Sequence, residues 1–141
     1  MKQLDPFCGL KGDLDHSYNQ MSKQLNTKLT KEEVNYVSNL PIENSWKIKA
    51  FSIKCVHGSP RMSNEKIDSS TDIDELMRIV EYVEEDVIFC GHSSEAFQCE
   101  IDQKRIINVV SITASKDNNY GTYFILSIED DLNIQQKHLD F

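Results

Sequence analysis

The sequence predicts an α/β domain, a mixed β-sheet with flanking helices. Three observations carry that prediction. Capping patterns at Thr30 and Thr71 each precede apolar residues at helical spacing. Val87-Ile88-Phe89-Cys90 is a short unbroken apolar run, as in a strand buried on both faces. The last third of the chain then holds three more strand candidates. The predicted order is α-β-α-β-β-β-β, a layered arrangement.

Each element has a local reason. The first 25 or so residues are polar, with a short helix expected from Leu14 to Leu25. Thr30-Lys31-Glu32-Glu33 reads as a capping box, and Leu29 and Val34 have the spacing of a hydrophobic staple. That helix is expected to reach Leu40 and stop before Pro41. Ile48 to Val56 reads as a strand, with Phe51, Ile53 and Cys55 on one face and Ala50, Ser52 and Val56 on the other. His57-Gly58-Ser59-Pro60 ends it as a turn. Thr71-Asp72-Ile73-Asp74 opens the next helix, whose core stripe is Ile73, Leu76, Met77, Val80 and Val83. Asp86 to Cys90 forms a strand that stops at Gly91-His92-Ser93-Ser94. Phe97–Ile101, Arg105–Ile112 and Thr122–Ile128 complete the set. Asp102-Gln103-Lys104 joins the first two, and Asn118-Asn119-Tyr120-Gly121 turns into the last.

The 141 residues fit one domain, residues 1–141, with enough chain for a core. No apolar run approaches the ~20 residues of a membrane helix, and the N-terminus lacks a signal-peptide stretch. The net charge of −8 argues against nucleic acid, whose binders neutralise phosphates. Residues 1–60 carry +2 and residues 61–141 carry −10. The acidic runs at Asp72-Ile73-Asp74-Glu75 and Glu81 to Asp86 read as solvated helix faces. The four cysteines, Cys8, Cys55, Cys90 and Cys99, form no C-x-x-C pair. Cys55 and Cys90 lie in apolar runs and read as small buried hydrophobes, so a reducing, cytoplasmic location is expected. Trp46 reads as a partly buried packing residue.

Chemistry points to two strand ends, Cys55-Val56-His57-Gly58-Ser59-Pro60 and Cys90-Gly91-His92-Ser93. Ligands of open α/β sheets gather at strand C-termini. A His there, beside a Gly that admits close backbone approach, is a metal or phosphate candidate. His16 and His138 carry no such context and read as solvent-exposed.

From Gly9 to Glu129 the chain resembles the C-terminal part of calcineurin-like metallophosphoesterases, in the branch of small bacterial phosphodiesterases and diadenosine-tetraphosphatase-like enzymes. The residues that carry the resemblance are Gly12-Asp13-Leu14-Asp15, Leu40-Pro41, His57-Gly58-Ser59-Pro60, Gly91-His92-Ser93-Ser94, Asn108-Val109-Val110-Ser111 and Gly121-Thr122-Tyr123, in the family's order. The resemblance implies the C-terminal part of an αββα sandwich. It also implies a metal set of which this chain keeps Asp13, His57 and His92.

The departures matter as much. Where the family has G-N-H-D, Asp13 can still bind a hard cation through oxygen, but Leu14 cannot move a proton. Where it has G-H-T-H, Ser94 replaces the second His, a poor exchange at a transition metal. Val110 stands at the glycine of N-x-G-S. The family's D-x-H and G-D motifs, which supply the first ligands and the bridging Asp, have no counterpart before Gly9. Two-metal catalysis needs ions ~3.5–4 Å apart.

Three readings follow. The favoured one is a degenerate, catalytically inactive phosphoesterase-like protein, a pseudoenzyme kept as a binding or protein-interaction module, with no catalytic residue and no required cofactor. It would hold Mn, Zn or another divalent cation weakly. The second is a metal-dependent phosphodiesterase or phosphatase half completed by another chain. The third is a nonfunctional gene remnant. Loss of the first half is expected to bare an apolar sheet face, covered by homodimerisation, by a protein partner or by the N-terminal segment. No membrane or nucleic-acid partner is expected.

Overall fold

A computed structural model describes Leu10 and residues 29–110 and 120–140, Tyr120 and Asp140 by their backbone. The expected helix from Leu14 to Leu25, and with it Asp13, Leu14 and His16, lies outside the described residues. So do Cys8, Ser111 and Asn118-Asn119.

The architecture is α/β, as the sequence predicts. Helix α1 spans Lys31–Ser38. Its capping box is complete: Thr30 Oγ1 accepts from the Glu33 N–H at 3.2 Å, and Glu33 Oε2 accepts from the Thr30 N–H at 2.7 Å. The helix ends three residues before Pro41, with Asn39 as its C-cap.

Strand β1 (Glu43–Ile48) pairs antiparallel with β2 (Phe51–Val56), so the expected strand from Ile48 to Val56 is in fact the second half of a hairpin. Lys49 turns the chain at φ 55°, and its Nζ donates to the Glu129 carbonyl at 2.9 Å. No Gly, Asn or Pro marks this turn. Faces in β2 fall as predicted: Ile53 with Phe51 and Cys55 on one side, Val56 on the other.

Helix α2 spans Ile73–Val80. Its N-cap is Asp72, which makes no side-chain cap bond, so the expected capping box does not form. Thr71 Oγ1 instead accepts from the Asp68 N–H at 3.1 Å and holds the preceding turn. The core stripe is also shifted. Leu76, Ile79, Val80 and Val83 are buried, whereas Ile73 and Met77 are 66% and 43% exposed. The helix sits rotated about its axis, so that Ile79 with Leu76 faces the sheet.

β3 (Val87–Cys90) is buried throughout, as expected of a central strand. β4 (Phe97–Ile101) and β5 (Lys104–Asn108) form a hairpin across Asp102 and Gln103, both at positive φ, which matches the strand twist. β5 ends four residues earlier than predicted. β6 (Tyr120–Ile128) pairs antiparallel with β7 (Leu132–Asp140), a strand the sequence reading misses because its second half, Gln135-Gln136-Lys137-His138, is polar.

The strand order is β1-β2-β3-β5-β4 in one sheet and β6-β7 in a second. β2, β3 and β5 run parallel, with antiparallel strands at both edges. Each face of the larger sheet has its own core. On one side α2 packs Leu76, Ile79 and Val80 with Ile67, Ile88, Cys90 and Ile106. On the other, Ile53, Val87, Phe89 and Ile107 meet Leu132, Phe124, Leu126, Ile128 and Ile134 of the β6-β7 hairpin. Trp46 packs against this second core, partly buried as predicted. The hairpin therefore covers part of one face of the larger sheet. Among the described residues no helix is long and apolar enough to cross a membrane.

Candidate functional site

The parallel strands β2, β3 and β5 deliver their carboxyl-terminal residues to one end of the sheet. There the chain places His57, Gly91-His92 and Asn108. Of the three predicted metal ligands, His57 and His92 come together; Asp13 lies outside the described residues.

His57 Nε2 stands 3.2 Å from His92 Nδ1, with the rings edge to face at 5.1 Å between centroids. That contact is a hydrogen bond when one nitrogen bears a proton and the other accepts. The same separation suits two ligands of one ion. Nitrogens ~2.0–2.1 Å from a tetrahedral zinc lie about 3.3–3.4 Å apart. The donor pair thus fits one divalent cation of the kind imidazole favours. Among the described residues no group of three or more His, Cys, Asp or Glu forms a metal cluster. Ser94 is exposed, and its hydroxyl is no substitute for a third imidazole.

The backbone is shaped around this pair. The Gly91 N–H donates to the His57 carbonyl at 2.8 Å, and a Cβ on Gly91 would stand 3.1 Å from that oxygen. His92 then takes φ 62°, a left-handed conformation that costs an L-residue roughly 1–2 kcal/mol. A non-glycine residue held there marks a place where position outranks local comfort.

The loop after His57 is tightly closed. A Cβ on Gly58 would meet the Ser63 carbonyl oxygen at 2.4 Å. Buried Ser59 accepts from the Arg61 and Met62 N–H groups at 3.0 and 3.1 Å and donates to Glu65. Arg61 bridges Glu65 and Glu75 and lies over the Tyr82 ring. Burial pushes the Glu65 carboxyl up, but bonds from Arg61 and Ser59 outweigh it and hold Glu65 below its usual range. Arg61 is therefore spent on the loop.

Asn108 closes the third side. It has no exposed surface, and its Nδ2 donates to the carbonyls of Ile67 at 2.5 Å and Gly91 at 3.1 Å. The sequence reading took Asn108 only as part of a motif; the signal for more is an Asn closing an apolar strand. Val110, at the motif's glycine position, is half-buried. Cys90 is fully buried, and burial, with Cys99 and Cys55 nearby, pushes its thiol up to about 12, so it stays protonated at neutral pH. Cys55 is only half-buried, short of the burial expected of it.

Comparison with known proteins agrees with this fold. A family model described as calcineurin-like phosphoesterase superfamily domain matches residues 1–131. No curated protein matches. Among solved structures, a hypothetical protein from Pyrococcus horikoshii is 19% identical at TM-score 0.65, over 78% of this chain and 44% of that one. Vps29 from Entamoeba histolytica, complexed with Zn2+, is 20% identical at TM-score 0.51, over 72% and 62%. A novel archaeal phosphodiesterase is 18% identical at TM-score 0.52, over 91% and 66%. At these identities the likeness concerns the fold. The chain spans 44% and 62% of the first two of these structures.

Proposed function

The chain belongs to the calcineurin-like phosphoesterase superfamily, and from that premise we propose that it is a degenerate member. In this reading it holds a divalent cation weakly and binds a protein partner, without hydrolysing phosphate esters by itself. The observation that carries the reading is the contrast at one turn. His92 meets His57 at metal-ligand separation, while two residues on, where the family resemblance calls for a second imidazole, stands exposed Ser94. His57 and His92, with Asp13 as the third ligand, would hold one cation. A binuclear centre needs a bridging carboxylate as well. Two filled core clusters and a complete capping box speak for a retained fold rather than a gene remnant.

The test uses the full chain with Mn2+ and bis-p-nitrophenyl phosphate. No turnover is expected. Metal-dependent hydrolysis that disappears in His57→Ala and His92→Ala would overturn the reading.

A second reading is a half-enzyme completed by another chain: His57 and His92 meet at ligand separation, and the remaining ligands would come from that chain. Activity that appears on adding a chain bearing D-x-H and G-D motifs would establish it.

The proposed partner surface is the outer face of β6-β7. Tyr123, Ile125 and Leu139 project there, 44%, 42% and 51% exposed, and a second copy could meet them about a two-fold axis. Sedimentation should show concentration-dependent association; a clean monomer at high concentration overturns the dimer. A cytoplasmic location belongs to the same proposal, supported by the thiols of Cys90 and Cys99.

A further inference from the structure

Asn108 is the last residue of β5 and is completely buried. One of its two carbonyl partners, Ile67, belongs to the segment between β2 and α2 that begins at His57. The other, Gly91, immediately precedes His92. Only the amide nitrogen can face them, because a reversed amide would set Oδ1 against two acceptors. That orientation leaves Oδ1 buried with no hydrogen-bond partner among the described residues. An apolar side chain would fill the same space without an orphaned acceptor. The bonds Asn108 makes, rather than its volume, therefore explain its presence.

Those bonds act on the histidine pair. The Gly91 N–H is held by the His57 carbonyl, and the Gly91 carbonyl is held by Asn108. Gly91 is thus held through both its N–H and its carbonyl, the latter in the peptide leading into His92, and the segment after His57 is gripped by the same Asn108 amide. We propose that Asn108 is a positioning residue for the His57–His92 pair, tying the segment after β2 to the turn after β3 so that the two ring nitrogens stay at bridging distance. The proposal rests on the cation-binding reading and extends it to a residue that touches no ion.

The test is solution NMR on the full chain without metal, followed by titration with Co2+ alone. In the wild type, the Asn108 side-chain N–H protons should exchange at least tenfold more slowly than those of exposed Asn133. In Asn108→Leu the ring-to-ring contact of His57 and His92 should be lost. Gly91 amide exchange should rise at least tenfold more than that of Ile88 or Ile106. Asn108→Ser, with one donor left, should fall between, and it decides the matter if Asn108→Leu does not fold. Co2+ should bind about tenfold more weakly to the variants. Freely exchanging Asn108 protons in the wild type would overturn the proposal. So would an unchanged ring contact in the variants, or Gly91 and Ile106 amides accelerating equally, which is the mark of a merely structural role. If Co2+ binds none of the proteins while the ring contact is lost only in the variants, the positioning role stands and the cation reading falls.

Discussion

The two ends of the central parallel strands are built to different rules. At the amino-terminal end of β3, Asp86 is fully engaged. Its carboxylate accepts from the Ser52 N–H and hydroxyl at 2.7 Å each, its N–H donates to the Ser52 carbonyl, and its carbonyl accepts from the Arg105 N–H. Nearby, Glu85 accepts from Ser45 and faces Lys54. At the carboxyl-terminal end stand a left-handed His92, two imidazoles in contact and a buried amide oxygen that has no partner among the described residues. Both ends belong to the same core strands, but they differ in burial: Asp86 is exposed, whereas Asn108 has no exposed surface. One end is arranged for stability. Left-handed residues occur at both ends, at Lys49, Asp102 and Gln103 as well as His92, but at the carboxyl-terminal end the left-handed residue itself bears one of the two facing imidazoles.

The largest expected effect tests the shared core. Ile88→Ala empties a fully buried position and should cost about 2–5 kcal/mol in urea denaturation. Amide protection should fall at both ends together. A response confined to one end would break the comparison, since the ends would then belong to separate cooperative units.

A smaller effect sharpens the amino-terminal end. Asp86→Asn removes the charge from a hydrogen-bonded acceptor and should cost about 1 kcal/mol at neutral pH. It should also change the acid profile. The Ser52 hydroxyl and N–H hold the Asp86 carboxyl below its ordinary 3.8. Arg61 with Arg78 holds Glu75 below 4.5, and Ser70 does the same for Asp68 below 3.8. A depressed carboxylate contributes stability that is full above its unfolded pKa and is lost as pH falls through the folded one. The wild type should therefore lose stability as pH drops below these ordinary values, and Asp86→Asn should lose less over that window. Parallel acid profiles for the two proteins would remove Asp86 from the account.

The smallest effect belongs to the histidine end. His92→Gly relieves the left-handed backbone but adds unfolded-chain entropy, so stability should stay within about 1 kcal/mol, on the stabilising side. The His57–His92 contact is lost all the same. Clear destabilisation would mean that the ring contact contributes more to folding than the backbone conformation costs.

Where the sequence reading succeeded, the physics was local. The Thr30 capping box, the buried run of β3 and the Asp102-Gln103 turn depend on neighbours a few residues away. The two histidine turns were legible for a related reason, since a strand stopping at Gly and His announces itself. The misses have the opposite cause. β1 turns into β2 at Lys49, a residue without turn propensity that is anchored by Glu129, eighty positions away. β7 is polar over half its length and is a strand because β6 pairs with it. In α2 the packing of Ile79 against Ile67 and Ile106 decided which residues face the core, and left Ile73 and Met77 outside.

The sequence by itself determined the fold class, the family and the identity of two of the residues at the candidate site, because composition, motif order and local capping are properties of the chain. Only the tertiary structure decided that His57 and His92 meet. Strands β2 and β3 must pair in parallel, in the register that sets Cys55 against Phe89, before their ends coincide. It also decided that Asn108 reaches both histidine segments, since a hydrogen bond across 41 positions exists only after the sheet has closed.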